Sequence, residues 1–81
     1  MEDIKVRLKA FILSEKNLSE HELKNDTPLI SSGIIDSIST LSLVDFIEHS
    51  FGIEFEPYEV DQENLNSIDR IAEFILKKQG H

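Results

Sequence analysis

Asp36 and Ser37 are the residues of this chain whose types and order could do chemistry. They sit in the run Gly33-Ile34-Ile35-Asp36-Ser37-Ile38, where a loop is predicted to become a helix. Asp36 is a good N-cap, because its carboxylate can accept a backbone N–H two or three residues on. Ser37 then takes the first helical position. Its hydroxyl is exposed there, beside free N–H groups and the positive end of the helix dipole, which is a ready place for a phosphate. Nothing nearby activates this serine as a catalyst. No Gly-x-Ser-x-Gly elbow surrounds it, and 81 residues leave little room for a triad and a cleft. A point of attachment is therefore favoured over a nucleophile. The rival from another class is an unmodified helical interaction domain, since serine is common at helix starts.

Other chemistries are disfavoured by composition. The chain has no cysteine, which excludes disulfides and cysteine-based metal or nucleophile sites. Asp61, Glu63 and Asp69 lack the ligand spacing, central glycine and terminal glutamate of an EF-hand loop. His21, His49 and His81 show no metal-ligand spacing, and His81 reads as a frayed tail. No metal site is expected. The net charge is −8, from 16 acids against 8 bases. That disfavours nucleic acid and anionic membranes as partners and favours surfaces with basic patches. No apolar run approaches a membrane span and no signal-like start is visible, so a cytoplasmic protein is expected.

Four helical stretches would position the serine. Over residues 3–16, Ile4, Leu8, Phe11 and Ile12 form one apolar stripe, which Val6 and Leu13 widen. Residues 17–36 read as loop, with a short helical turn at Ser19–Leu23 and with Leu29, Ile30, Ile34 and Ile35 available to pin it to the core. Residues 37–50 form the second helix. Its apolar residues, Leu41 among them, cover more than one face, so it is expected to be largely buried. Ser39, Ser42, Asp45, Glu48 and His49 are left for its outer surface. Gly52 is a plausible stop, Ile53–Glu56 an extended link, and Pro57 starts a short third helix through Val60. In the last helix, 67–79, Ile68, Ile71, Ala72, Ile75 and Leu76 form the stripe, Asn66 or Ser67 is the cap, and Gly80 is the end.

Asp36-Ser37-Ile38 resembles the Asp-Ser-Leu signature of acyl carrier proteins, with Ile for Leu. The likeness extends over nearly the whole chain through the helix order, Asp26-Thr27-Pro28-Leu29 and Phe51-Gly52-Ile53-Glu54-Phe55. It implies an all-α four-helix bundle with a short third helix, a single monomeric domain over 1–81. It also implies a 4′-phosphopantetheine arm, joined to Ser37 through a phosphodiester, that carries acyl groups as thioesters. The protein would be a non-catalytic carrier. Its partners would be a phosphopantetheinyl transferase, which Asp36 helps to engage metal-bound coenzyme A, and enzymes that load and transfer acyl or aminoacyl groups. The partner face would comprise Ile38, Ser39, Ser42, Asp45 and Glu48. Fatty-acid carriers of this family often have acids where this chain has Ser39, Ser42 and His49, and an apolar residue where it has Asp45. That departure points towards a specialised aminoacyl or polyketide-type pathway, with the housekeeping fatty-acid carrier as the alternative.

Overall fold

The apolar stripes become helices. The computed structural model describes residues 2–80. It contains α1 (Glu2–Lys16), α2 (Ser37–Phe51), α3 (Gln62–Leu65) and α4 (Ile68–Lys78), with 3₁₀ turns at Glu20–Glu22 and Pro57–Glu59. No strand occurs among the described residues, and Ile53–Glu56 is an extended link. The architecture is the expected all-α bundle. His81 lies outside the described residues.

Its core gathers Leu8 and Ile12 from α1, Leu43 and Ile47 from α2, Leu65 from α3, and Ile68, Ile71, Ala72 and Ile75 from α4. Leu23, Leu29 and Ile35 from the long loop join them. Burying each such aliphatic side chain contributes roughly 1.5–3 kcal/mol against the chain entropy. Phe11 of α1 stacks on Phe46 of α2 with centroids 4.2 Å apart, and Phe55 stacks on Phe74 at 4.7 Å. Three helix ends follow simple capping chemistry. Ser67 caps α4, its hydroxyl accepting from Arg70 N at 3.1 Å, and Gly52 ends α2 with φ +67°. At the end of α1, Asn17 takes φ +54°, and Leu18 N donates to Leu13 O at 2.9 Å, a Schellman closure with Asn in the usual glycine place.

The structure departs from the sequence expectation in three places. The stretch Pro57–Val60, expected as the third helix, is only a 3₁₀ turn. Proline suits its first position, but Val60 leaves helical space at φ −85°, ψ 77°. Asp61 then starts α3 afresh, its carboxylate accepting from Asn64 N at 3.0 Å. Val6 is exposed rather than part of the buried stripe. In α2, Ile38 is 77% and Leu41 69% exposed, whereas Leu43 is wholly buried. At about 100° per residue, Ile38 and Leu41 lie roughly 140° and 160° around the axis from Leu43. A helix packed along one side cannot bury both faces, and Leu43 and Ile47 occupy the packed one.

Candidate functional site

The loop that leads to Ser37 is held from far along the chain. Asn66, between α3 and α4, accepts from Ile30 N at 2.8 Å and Ser31 N at 3.1 Å through its side-chain Oδ1. Its backbone carbonyl accepts from Leu29 N at 2.7 Å, and its Nδ2 donates to Ser31 Oγ at 3.3 Å. Leu29 and Ile35 sink into the core on either side of this turn, and Ile35 N closes onto Leu29 O at 2.9 Å. Ser32 Oγ donates to Pro28 O at 2.6 Å. Gly33 takes φ +88°, a conformation L side chains rarely adopt, so its glycine is required by the turn. The clamp therefore fixes the stretch that ends at Asp36. The four anchors expected from sequence act as anchors, with Leu29 and Ile35 fully buried and Ile30 and Ile34 partly so. Asn66 was visible there only as a possible helix cap.

Asp36 caps α2 from extended backbone, φ −97°, ψ −174°, and its Oδ1 accepts from Ser39 N at 2.8 Å. Its carbonyl accepts from both Thr40 N and Thr40 Oγ1, each at 2.8 Å. The Ser39 N–H holds the Asp36 carboxyl below its ordinary range, with smaller help from the Ser39 hydroxyl and the Lys16 ammonium. Ser37 is the first residue of α2 and is exposed. Its hydroxyl makes no hydrogen bond to another described residue. It is therefore free to react, on a turn whose backbone is fully determined.

Around Ser37 the sequence-expected partner residues fall into two groups. Ile38, Ser42 and Asp45 are exposed and share the outer side of α2 with Leu41, whose apolar side chain the sequence places in the interior. Ser39 and Glu48 are half-buried and engaged within the chain. Ser39 Oγ accepts from Lys16 Nζ, and Glu48 Oε2 accepts from Phe55 N at 2.8 Å, which ties the extended link back to α2. Asp45 also has an internal partner, since His49 Nδ1 lies 3.3 Å from its carboxylate and 2.9 Å from its carbonyl. The Asp45 carbonyl, and then its carboxylate, raise the His49 pKa above its ordinary value of 6.5. The outer side of α2 thus sets two exposed apolar residues, Ile38 and Leu41, beside serines and one exposed carboxylate, that of Asp45.

No group of three or more His, Cys, Asp or Glu residues placed to hold a metal occurs among the described residues. A cleft of about 480 Å³ lies between α3 and α4, lined by Glu63, Asn64, Arg70, Glu73, Phe74 and Lys77, with no contribution from α2. No described helix is long and apolar enough to cross a membrane.

Residues 6–75 match the family model described as "Phosphopantetheine attachment site". The chain belongs to this family of phosphopantetheine-bearing carriers. It is 30% identical over 78 residues to an acyl carrier protein of Buchnera aphidicola subsp. Acyrthosiphon pisum (strain Tuc7), covering 96% of this chain and 95% of the relative. It is 33% identical over 54 residues to a D-alanyl carrier protein of Lactococcus lactis subsp. lactis (strain IL1403), covering 67% of this chain and 68% of the relative. The protein is accordingly a carrier whose prosthetic group is 4′-phosphopantetheine. The described residues fit that group: an exposed, unbonded hydroxyl stands at a capped helix start, where the field favours a phosphodiester anion.

Proposed function

We propose that Ser37 is the attachment point. On this reading residues 1–81 act as one monomeric cytoplasmic domain that presents acyl or aminoacyl thioesters in a specialised pathway. When bound, the arm supplies the thiol that a chain without cysteine lacks. The chain's own residues orient it. Asp36 fixes the first turn of α2, Asn66 fixes the loop before it, and the outer side of α2 meets partner enzymes. Those partners are a phosphopantetheinyl transferase and the enzymes that load and transfer cargo.

The single observation that carries the attachment reading is the unbonded, exposed Ser37 hydroxyl beside the Asp36 cap. Incubation with coenzyme A and a promiscuous transferase should add the mass of one phosphopantetheine to the wild type and none to Ser37→Ala, with folding unchanged. Arm transfer to Ser37→Ala would refute the assignment. Unmodified wild type would favour the plain interaction domain.

The pathway reading rests on the sparsely acidic outer side of α2, where Asp45 is the one exposed carboxylate. Ser42 takes the place of a common acid, Asp45 is paired with His49, and Glu48 is bonded to Phe55 N. A strongly basic partner would forgo several exposed ion pairs, each worth roughly 0.2–1 kcal/mol. Likeness to proteins named D-alanyl carriers supports including aminoacyl cargo. Offered a malonyl transferase and an amino-acid-activating adenylation enzyme encoded near this chain, the arm-bearing protein should be loaded by the adenylation enzyme. Efficient malonyl loading and elongation by a fatty-acid synthase, without aminoacyl loading, would overturn the pathway reading.

A further inference from the structure

Lys16 is the last residue of α1, and its half-buried side chain ends on the first turn of α2, where Nζ donates to Ser39 Oγ. Its charge is felt at the Asp36 carboxylate. Asp36 and Ser39 bracket Ser37 in the chain, so the ammonium is held at the same first turn of α2 as the attachment position. What distinguishes this cation is its place, since its Nζ is bonded on the first turn of α2. Acids outnumber bases 16 to 8, yet among the described residues no carboxylate lies within ion-pair distance of Lys16. Its hydrogen-bond partner is a neutral hydroxyl, although Lys5 and Lys78 each reach an acid at 2.8 and 2.9 Å.

We propose that Lys16 is a positioning residue for the arm, its ammonium pairing with the phosphodiester carried by Ser37. The inference rests on Ser37 as the attachment point. In helix geometry the Cα atoms of Ser37 and Ser39 are about 5.4 Å apart and their side chains leave the axis roughly 160° apart. The ammonium therefore leaves Ser39 and swings round the open end of α2, past Asp36, on its four-carbon stem. The phosphodiester supplies the direct ion pair that this lysine does not make among the described residues. The helix dipole adds to the same attraction. The base of the arm is thereby held against the first turn of α2 while its thiol end remains mobile. The contact is near the surface, so salt weakens it.

The test is ³¹P NMR of the protein with its arm attached, at about 20 and 500 mM salt, concentrations that bracket the 0.1 M at which charges are screened over roughly 10 Å. The wild-type phosphodiester resonance should be shifted and broadened at low salt, and should move towards the Lys16→Gln value as salt rises. Lys16→Arg should keep the low-salt signature. Lys77→Gln, which removes the same charge from the α3–α4 cleft, should match the wild type. At low salt, Lys16→Gln should lower the population of the restrained phosphate about two- to fivefold, the size expected for an exposed pair. An unchanged resonance in Lys16→Gln with the arm on Ser37, or an equal change in Lys77→Gln, overturns the role of Lys16 alone. Failure of the wild type to take the arm on Ser37 overturns the attachment reading and this inference with it.

Discussion

The turn before α2 and the outer side of α2 are neighbours in the chain, built on opposite terms. Around Asn66 nearly every polar group has a partner: four hydrogen bonds converge on one residue, and Leu29 and Ile35 vanish into the core beside it. On α2 the Ser37 hydroxyl is unbonded, and Ile38 and Leu41 face solvent. The first region spends its side chains on holding the backbone. The second leaves them for something outside the chain. A handling site needs both, because a side chain can be offered to a partner only from a backbone that does not move.

The largest expected effect tests this division within one helix. Leu43→Ala should destabilise the fold by roughly 2–5 kcal/mol, and Leu41→Ala by no more than about 0.5 kcal/mol, while Leu41→Ala weakens partner loading. Denaturant unfolding of both variants decides it, and equal losses would erase the distinction. Next, Asn66→Ala should cost roughly 1–3 kcal/mol, because the N–H groups of Ile30 and Ser31 lose their acceptor. Hydrogen exchange should speed up at those two amides ahead of the α4 amides. Unchanged protection there would show that Leu29 and Ile35 hold the turn without the carboxamide.

Much of this was legible in the chain. The Asp36 cap and the Ser37 start are local chemistry, and the α4 stripe is a strict helical period, so both appear where expected. What escaped depends on relations that sequence spacing does not carry. Leu41 is as apolar as Leu43, and only packing tells them apart. The four residues of α3 are too few to show a period, and their start depends on Asp61 re-capping after Val60 breaks away. Ser39 and Glu48 are polar and on α2, yet both turn inward to partners in α1 and in the extended link. Asn66 finds its partners some 35 residues earlier, where no pattern points.

The smallest expected effect lies on the exposed side and concerns pH. Asp45 raises the His49 pKa above 6.5, so the pair's contribution to stability is fully present below that value. It is lost as pH rises through the folded-state pKa. Over that interval His49 discharges and the outer side of α2 becomes more negative. An NMR titration of His49 should give a midpoint above 6.5 that falls in Asp45→Asn. A wild-type midpoint at or below 6.5 would mean that the pair does not persist in solution.

The reach of Asn66 also bears on synthesis. A nascent chain displays Ser37 long before residue 66 leaves the ribosome, so during that interval the serine hangs on a turn with no clamp. N-terminal segments emerge first, at about 5–20 residues per second, so the delay lasts roughly 1.5–6 seconds. Only when the start of α4 is free do Ile30 and Ser31 find their acceptor. The serine therefore stands on a fixed turn only after the start of α4 has emerged.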